Sequence, residues 1–229
     1  MDKLVRSIKF PFSFDTKKLK DDFRKVVNFD WVDHYNKSDY NGKWTSIALL
    51  SKNGNYDAIN AITSNEPLLP TEVLQSCAYF NEILNSFLFK KTAVRLMQLD
   101  PGAIIKPHTD HCLGYEDGSF RLHIPVITNP GVEFILDGNR LIMNEGECWY
   151  IDANFTHSVA NYGAESRIHL VIDGIRNEWT DAMFYKEAEI ERFVKPQKVS
   201  SPEEKELIIA ELLRMNTPAA NAIIKEMEN

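Results

Sequence analysis

A chain of 229 residues, 44% of them hydrophobic, can bury one proper core with appendages. Its net charge of −7 and pI of about 5.4 argue against a general nucleic-acid or anionic-membrane surface. The three cysteines, Cys77, Cys112 and Cys148, are odd in number and widely spaced, which argues against a disulfide scaffold and fits a reducing compartment. The amino terminus, Met1-Asp2-Lys3-Leu4-Val5, has no apolar signal core and no later run reaches membrane-spanning length, so a soluble cytoplasmic protein is expected.

Residues 1–93 read as strands and bracing helices. Ile8 to Phe14 alternates in strand fashion around Pro11, whereas Asp15 to Phe29 spaces Leu19, Phe23, Val26 and Val27 as a helix. Lys43 to Leu50 reads as a strand, and Ser51 to Pro67 as a polar loop turning at Asn53-Gly54-Asn55. Trp44 or the Tyr56 region could border a pocket, a point the chain leaves open. Thr71 to Leu88 reads as one helix, with Val73, Leu74, Cys77, Phe80, Ile83, Leu84 and Phe87 on a core-facing stripe.

From Val94 the pattern changes to short strands: Val94 to Leu99, Ile104 to His108, Phe120 to Ile127, Val132 to Leu136, Arg140 to Met143, Glu147 to Ile151, His157 to Asn161 and Arg167 to Ile172. The breaks, such as Asp100-Pro101-Gly102, Asn129-Pro130-Gly131 and Asp137-Gly138-Asn139, supply the preset or positive φ that tight turns need. Such a series fits a jelly roll, and without helix-length segments between the strands a parallel α/β sheet is not expected. The predicted fold class is mainly β with flanking helices: a double-stranded β-helix (jelly roll, cupin-like) core at 94–194, N-terminal strands and bracing helices at 1–93, and a C-terminal helical appendage at 195–229.

Two of these strands carry Arg-x-His pairs. Period-two alternation sets Arg121, His123 and Pro125 against Leu122, Ile124 and Val126, and Arg167, His169, Val171 and Asp173 against Ile168, Leu170 and Ile172. Arg95 shares a face with Met97 on the first strand. For any one strand a solvated sheet face is the plain reading, but two of them beside a metal triad point to a lined cavity.

That triad begins at Pro107-His108-Thr109-Asp110. In extended backbone, residues two apart point the same way, so His108 and Asp110 can reach one ion together, and His157 can join them if the strands fold back. Two imidazoles and a carboxylate hold Fe(II) on one face and leave positions open for chemistry. Alone, a His-x-Asp is common and fits a turn with a solvated carboxylate. Arg167, on its strand, adds a guanidinium able to grip a carboxylate in two-pronged fashion, and the combination suggests a 2-oxoglutarate oxygenase. Cys112, close by, reads as an incidental thiol.

The last segment opens with the helix start Ser201-Pro202-Glu203-Glu204, followed by a stripe of Leu207, Ile208, Leu212 and Met215. A second stripe, Ala220, Ile223, Ile224 and Met227, follows Thr217-Pro218 and completes a helical hairpin. Packing on the core is its default role; covering the site, holding a homodimer or binding a peptide are the others.

With these residues in view, Val94 to Gly174 resembles the catalytic core of the aspartyl/asparaginyl β-hydroxylase family, in particular its bacterial small-molecule branch. The matching pieces are Pro107-His108-Thr109-Asp110, Leu113-Gly114-Tyr115-Glu116, Arg121-Leu122-His123-Ile124-Pro125, Thr128-Asn129-Pro130-Gly131, Gly146-Glu147-Cys148-Trp149-Tyr150, His157 and Arg167 to Asp173, in one ordered series. The resemblance implies His108, Asp110 and His157 as Fe(II) ligands and catalytic centre. It implies Arg167 as partner of the distal carboxylate of 2-oxoglutarate, assisted by His123, and Arg121 and Arg95 as substrate contacts. Met97 stands where some members have a cosubstrate-supporting serine.

The expected activity is an Fe(II)- and 2-oxoglutarate-dependent dioxygenase that uses O2 to hydroxylate an unactivated C–H bond of a free amino acid, proline-like among the candidates, with release of succinate and CO2. The alternatives are hydroxylation of an amino-acid residue (Asp/Asn or other) in a peptide or carrier-bound intermediate, and a non-catalytic metal-binding cupin-like module. Expected partners are a small amino acid or short peptide, with no nucleic acid, no membrane and homodimerisation through the C-terminal helices as an option.

Overall fold

A computed structural model describes residues 4–62, 66–195, 202–215, 217, 221 and 223–225. Its strands are β1 (Ser7–Ser13), β2 (Val32–Asp33), β3 (Tyr40–Asn41), β4 (Trp44–Ser51), β5 (Leu69–Pro70), β6 (Lys91–Leu99), β7 (Ile104–His108), β8 (Ser119–Ile127), β9 (Val132–Leu136), β10 (Asn139–Leu141), β11 (Glu147–Ile151), β12 (His157–Asn161) and β13 (Arg167–Ile175). The helices are α1 (Thr16–Val26), α2 (Glu72–Ser76), α3 (Ala78–Ser86), α4 (Glu178–Phe184) and α5 (Pro202–Met215). Two antiparallel sheets form the roll. The larger runs β1-β11-β8-β13-β6-β4-β2, with β5 on β4, and the smaller runs β10-β9-β12-β7-β3.

Alternation along the central strands separates two cores. Leu122, Ile124, Val126, Ile168, Leu170 and Ile172 face the helices, in one cluster with Leu19, Val26, Phe80, Ile83 and Leu84. The opposite faces of β8 and β13 look into the roll, where Met97, Leu99, Ile105, Phe134, Val159 and Val171 form the smaller cluster. Both faces of β13 are therefore buried from Arg167 to Gly174, not one solvated face. A polar residue on such a face must find a partner or a ligand.

The short strands β2, β3 and β5 and the helix α4 lie outside the sequence reading, and two further points differ from it. Thr71 to Leu88 is not one helix: it breaks at Cys77, whose backbone leaves helical geometry at φ −113 and ψ 83. The reason is Asp22 of α1, whose buried Oδ2 accepts from the backbone N–H groups of Tyr79 and Phe80 at 2.7 and 2.9 Å and so starts α3 afresh. The roll also draws on strands before Val94, since β1 pairs with β11 and β4 with β6.

Residues 2–194 form one compact unit and residues 195–229, with Met1, another. In the second unit, Leu207, Ile208, Leu213 and Met215 of α5 are exposed. Of the second predicted stripe, Ala220 and Met227 lie outside the described residues, Ile223 is exposed and Ile224 is buried. Among the described residues no helix is long and apolar enough to cross a membrane.

Candidate metal and carboxylate site

A cavity of about 390 Å³ opens between the two sheets. Its floor and one wall come from Arg95, Met97, Arg121, His123 and Arg167 of the larger sheet, and the facing wall from Ile105, His108, Phe134, His157 and Val159. The segment joining β2 to β3 passes from one sheet to the other at the mouth and adds His34, Tyr35 and Asp39. Trp44 lines the cavity, its ring stacked on His34 at 3.6 Å and 10°. Tyr56 packs on Phe29 in the helix-side core instead.

His108 and His157 are cross-strand partners on β7 and β12, with ring centroids 4.2 Å apart. Asp110 lies just past β7, where its N–H donates to the Ala153 carbonyl at 2.8 Å. One ligand atom from each of the three lies within 4.8 Å of the others. Both imidazoles are oriented from behind: His108 Nδ1 is 2.8 Å from the Lys106 carbonyl and His157 Nδ1 is 3.0 Å from the Phe155 carbonyl. A carbonyl only accepts, so each ring carries its proton on Nδ1 and presents a bare Nε2. Burial pushes His157 down to about 4, which keeps it neutral at ordinary pH. Burial pushes the Asp110 carboxyl up, but the charge and hydrogen bond of Arg121 oppose it, and the carboxyl lies below the usual carboxylate range. Two bare imidazole nitrogens and a carboxylate on one side of a cavity fit a six-coordinate divalent metal with open positions.

Deeper in the same cavity, Arg167 is 3% exposed. Its Nη2 donates to His169 Nδ1 at 2.8 Å, its guanidinium faces the Phe134 ring at 5.8 Å, and its Nε has no partner. Among the described residues no carboxylate pairs with it, and burial pulls it down to about 9. An arginine never accepts, so His169 must keep its proton on Nε2. His123 Nδ1 lies 3.5 Å from His169 Nδ1, and His123 Nε2 is buried without a partner. Burial, then Arg167, pushes both imidazoles well below their ordinary value.

Arg121 and Arg95 line the cavity as well, bound to an internal anion. Asp173 on β13 accepts from Arg95 Nη2 at 2.6 Å and from Arg121 Nε and Nη2 at 2.6 and 3.0 Å. Arg121 Nη1 also donates to Asp110 Oδ2 at 2.5 Å. Asp173 was legible only as a member of the β13 face; the signal for its role is that two arginines on the flanking strands need a buried counter-ion. His34, Tyr35 and Asp39 gave no signal, because a loop between sheets has no periodicity to read. Cys112 is exposed, holds a left-handed backbone at φ 57 and does not line the cavity.

Eight buried side-chain nitrogen or oxygen atoms lack a partner among the described residues, and five of them belong to this cavity: His34 Nδ1, Trp44 Nε1, Arg95 Nε, His123 Nε2 and Arg167 Nε. Those of Trp44, Arg95 and Arg167 can only donate. Buried donors held together without acceptors mark a site built for an acceptor-rich ligand.

The family described as aspartyl/asparaginyl beta-hydroxylase matches residues 13–177. Among curated proteins, L-proline cis-4-hydroxylase of Rhizobium meliloti (strain 1021) is 30% identical over 164 residues, covering 70% of this chain and 57% of that protein. L-proline cis-3-hydroxylase 1 of a Streptomyces species is 27% identical over 164 residues, covering 69% and 56%. The chain thus spans just over half the length of these relatives. Among solved structures, a 2OG-Fe(II) oxygenase family oxidoreductase from Burkholderia pseudomallei superposes with a TM-score of 0.51 at 12% identity, over 75% of this chain and 86% of that one. HygX from Streptomyces hygroscopicus, solved with nickel and 2-oxoglutarate bound, gives 0.51 at 7% identity, over 77% and 85%. Both are likenesses of fold.

Proposed function

The chain belongs to the aspartyl/asparaginyl β-hydroxylase family, and on that premise we propose that it is an Fe(II)- and 2-oxoglutarate-dependent dioxygenase that hydroxylates an unactivated C–H bond of a free amino acid. The observation that carries this reading is one cavity holding both a His-Asp-His donor set and a buried arginine without a counter-anion among the described residues. In it, His108, Asp110 and His157 would hold the iron. Arg167 would take the distal carboxylate of 2-oxoglutarate, with His123 on the same wall of the cavity. The two curated relatives are named for proline hydroxylation, which makes proline-like amino acids the first substrates to test.

Charge balance supports the substrate class. Arg95, Arg121 and Arg167 bring three positive charges to the cavity, and Asp39, Asp110 and Asp173 bring three negative ones. A divalent metal and a dicarboxylate cancel each other, so the balance suits a substrate that is neutral overall, a zwitterion, with a guanidinium for the carboxylate of the substrate. Arg95, whose Nε is unpartnered, is its partner, and Asp39 at the mouth is a carboxylate available to the ammonium. Bound iron supplies the oxidising chemistry: O2 and 2-oxoglutarate yield succinate and CO2, and one oxygen atom enters the C–H bond. The protein's part is orientation, since the arginine grip decides which carbon faces the metal.

The test is succinate formation from 2-oxoglutarate with Fe(II) in air, with and without a panel of free amino acids that includes proline. Stimulation by one amino acid, with a product heavier by one oxygen atom, is the expected result. Succinate without stimulation redirects the substrate to a peptide or a carrier-bound residue. No succinate from metal-loaded protein rejects the oxygenase reading.

A further inference from the structure

Arg121 is held on both sides. Its Nε and Nη2 lie on the two oxygens of Asp173 in a paired, fork-on-carboxylate arrangement, and its Nη1 lies on Asp110 Oδ2. Because the guanidinium is planar and rigid, fixing one edge on Asp173 fixes the direction in which Nη1 points. Asp173 is itself anchored: it is 3% exposed on β13 between β8 and β6, and Arg95 donates to it from the other side. The chain Arg95-Asp173-Arg121-Asp110 therefore ends on a carboxylate that sits in a loop beyond β7. Arg121 thereby occupies one acceptor position of Asp110, on Oδ2, while a carboxylate oxygen stays within 4.8 Å of the ligand atoms of His108 and His157.

We propose that Arg121 is a positioning residue that holds Asp110 in a one-oxygen ligating pose, with Asp173 as its buried anchor, and that it is not a reader of the substrate carboxylate. This rests on His108, Asp110 and His157 being the metal ligands. A carboxylate free to rotate would have to lose that freedom on metal binding or could chelate through both oxygens and consume an open position. The clamp removes both options before the metal arrives. Groups that orient metal ligands from behind commonly contribute about tenfold to a hundredfold in metal affinity.

The test is Co(II) titration followed by d–d absorption, on the full-length protein, Arg121→Lys, Asp173→Asn and the double variant, each checked for folding by circular dichroism. Both single variants are expected to bind Co(II) about tenfold more weakly or worse, with an altered d–d spectrum. The double variant is expected to be no worse than the weaker single, because the two residues act as one unit. Asp173→Asn keeps the shape of the anchor, so it carries the test if Arg121→Lys misfolds. Unchanged Co(II) affinity and spectrum in both variants, with only the KM for the amino acid raised, would overturn the proposal and return Arg121 to substrate binding. Failure of the unmodified protein to bind Co(II) would overturn the metal assignment itself, a separate outcome.

Discussion

Arg167 is the residue whose surroundings make the strongest demand. A buried guanidinium facing an imidazole lone pair and a phenyl ring has lost its hydration without gaining an anion, which is unfavourable until a carboxylate arrives. Arg167→Met should therefore hold or raise the Tm of the ligand-free protein while removing the rise that 2-oxoglutarate gives the unmodified chain; thermal denaturation with and without the ligand reads both effects. A lowered Tm with the ligand response intact would locate the anion elsewhere. Asp110→Ala, which removes the anionic ligand, should abolish metal retention measured by dialysis and metal analysis, whereas full retention would mean that two imidazoles suffice. His108, Asp110 and Arg167 were legible as candidates because strand alternation is local. The tie between Arg121 and Asp110 was not, because it depends on how β8 and β13 are registered and where the loop after β7 returns.

Among the elements, the turn from β11 to β12 and the start of α3 show how single carboxylates organise backbone. Asp152, fully buried in that turn, accepts from the Asn154 N–H through Oδ1 and leaves Oδ2 unpartnered. Burial, then the neighbouring Glu116, pushes it up to about 7 from 3.8. An acid raised on folding takes stability away as pH rises from 3.8 to about 7 and adds no further slope above that. His34 and His157, lowered from 6.5 to about 4, act in the opposite sense, costing stability as pH falls through that window. Comparing urea unfolding of the unmodified chain with Asp152→Asn isolates the first effect: the variant should gain relative stability from pH 4 to 7, and a constant difference would contradict the assignment. Asp22→Ala should cost about 1 kcal/mol or more by removing the two-fold cap of α3. Helical periodicity could not show the break at Cys77, because the apolar stripe runs on through it and the interrupting carboxylate comes from α1.

At the scale of the whole molecule, the roll was legible from strand lengths and turn residues after Val94, where alternation and Gly or Pro breaks repeat without helices between them. The contribution of β1 and β4 was not, since a strand's partner is a matter of register and distance in space. The close approach of β1 to Gly146 needs a glycine there: Gly146 holds φ +79, its carbonyl accepts from the Phe14 N–H at 2.8 Å, and a Cβ would run into the Phe14 carbonyl. Every described residue of the proposed site lies within residues 2–194. A chain ending at residue 195 should therefore keep the Co(II) and 2-oxoglutarate affinities of the full chain, and loss of either would assign the C-terminal unit a part in the site.

The most direct test of a single site that joins metal and arginine is calorimetric titration of 2-oxoglutarate into Fe(II)-loaded and metal-free protein without oxygen. The metal-loaded protein is predicted to bind one equivalent, and the metal-free protein to bind it about tenfold more weakly or worse, because one molecule would then lose half of its grip. Equal affinity with and without the metal, or no binding to either form, would contradict the account.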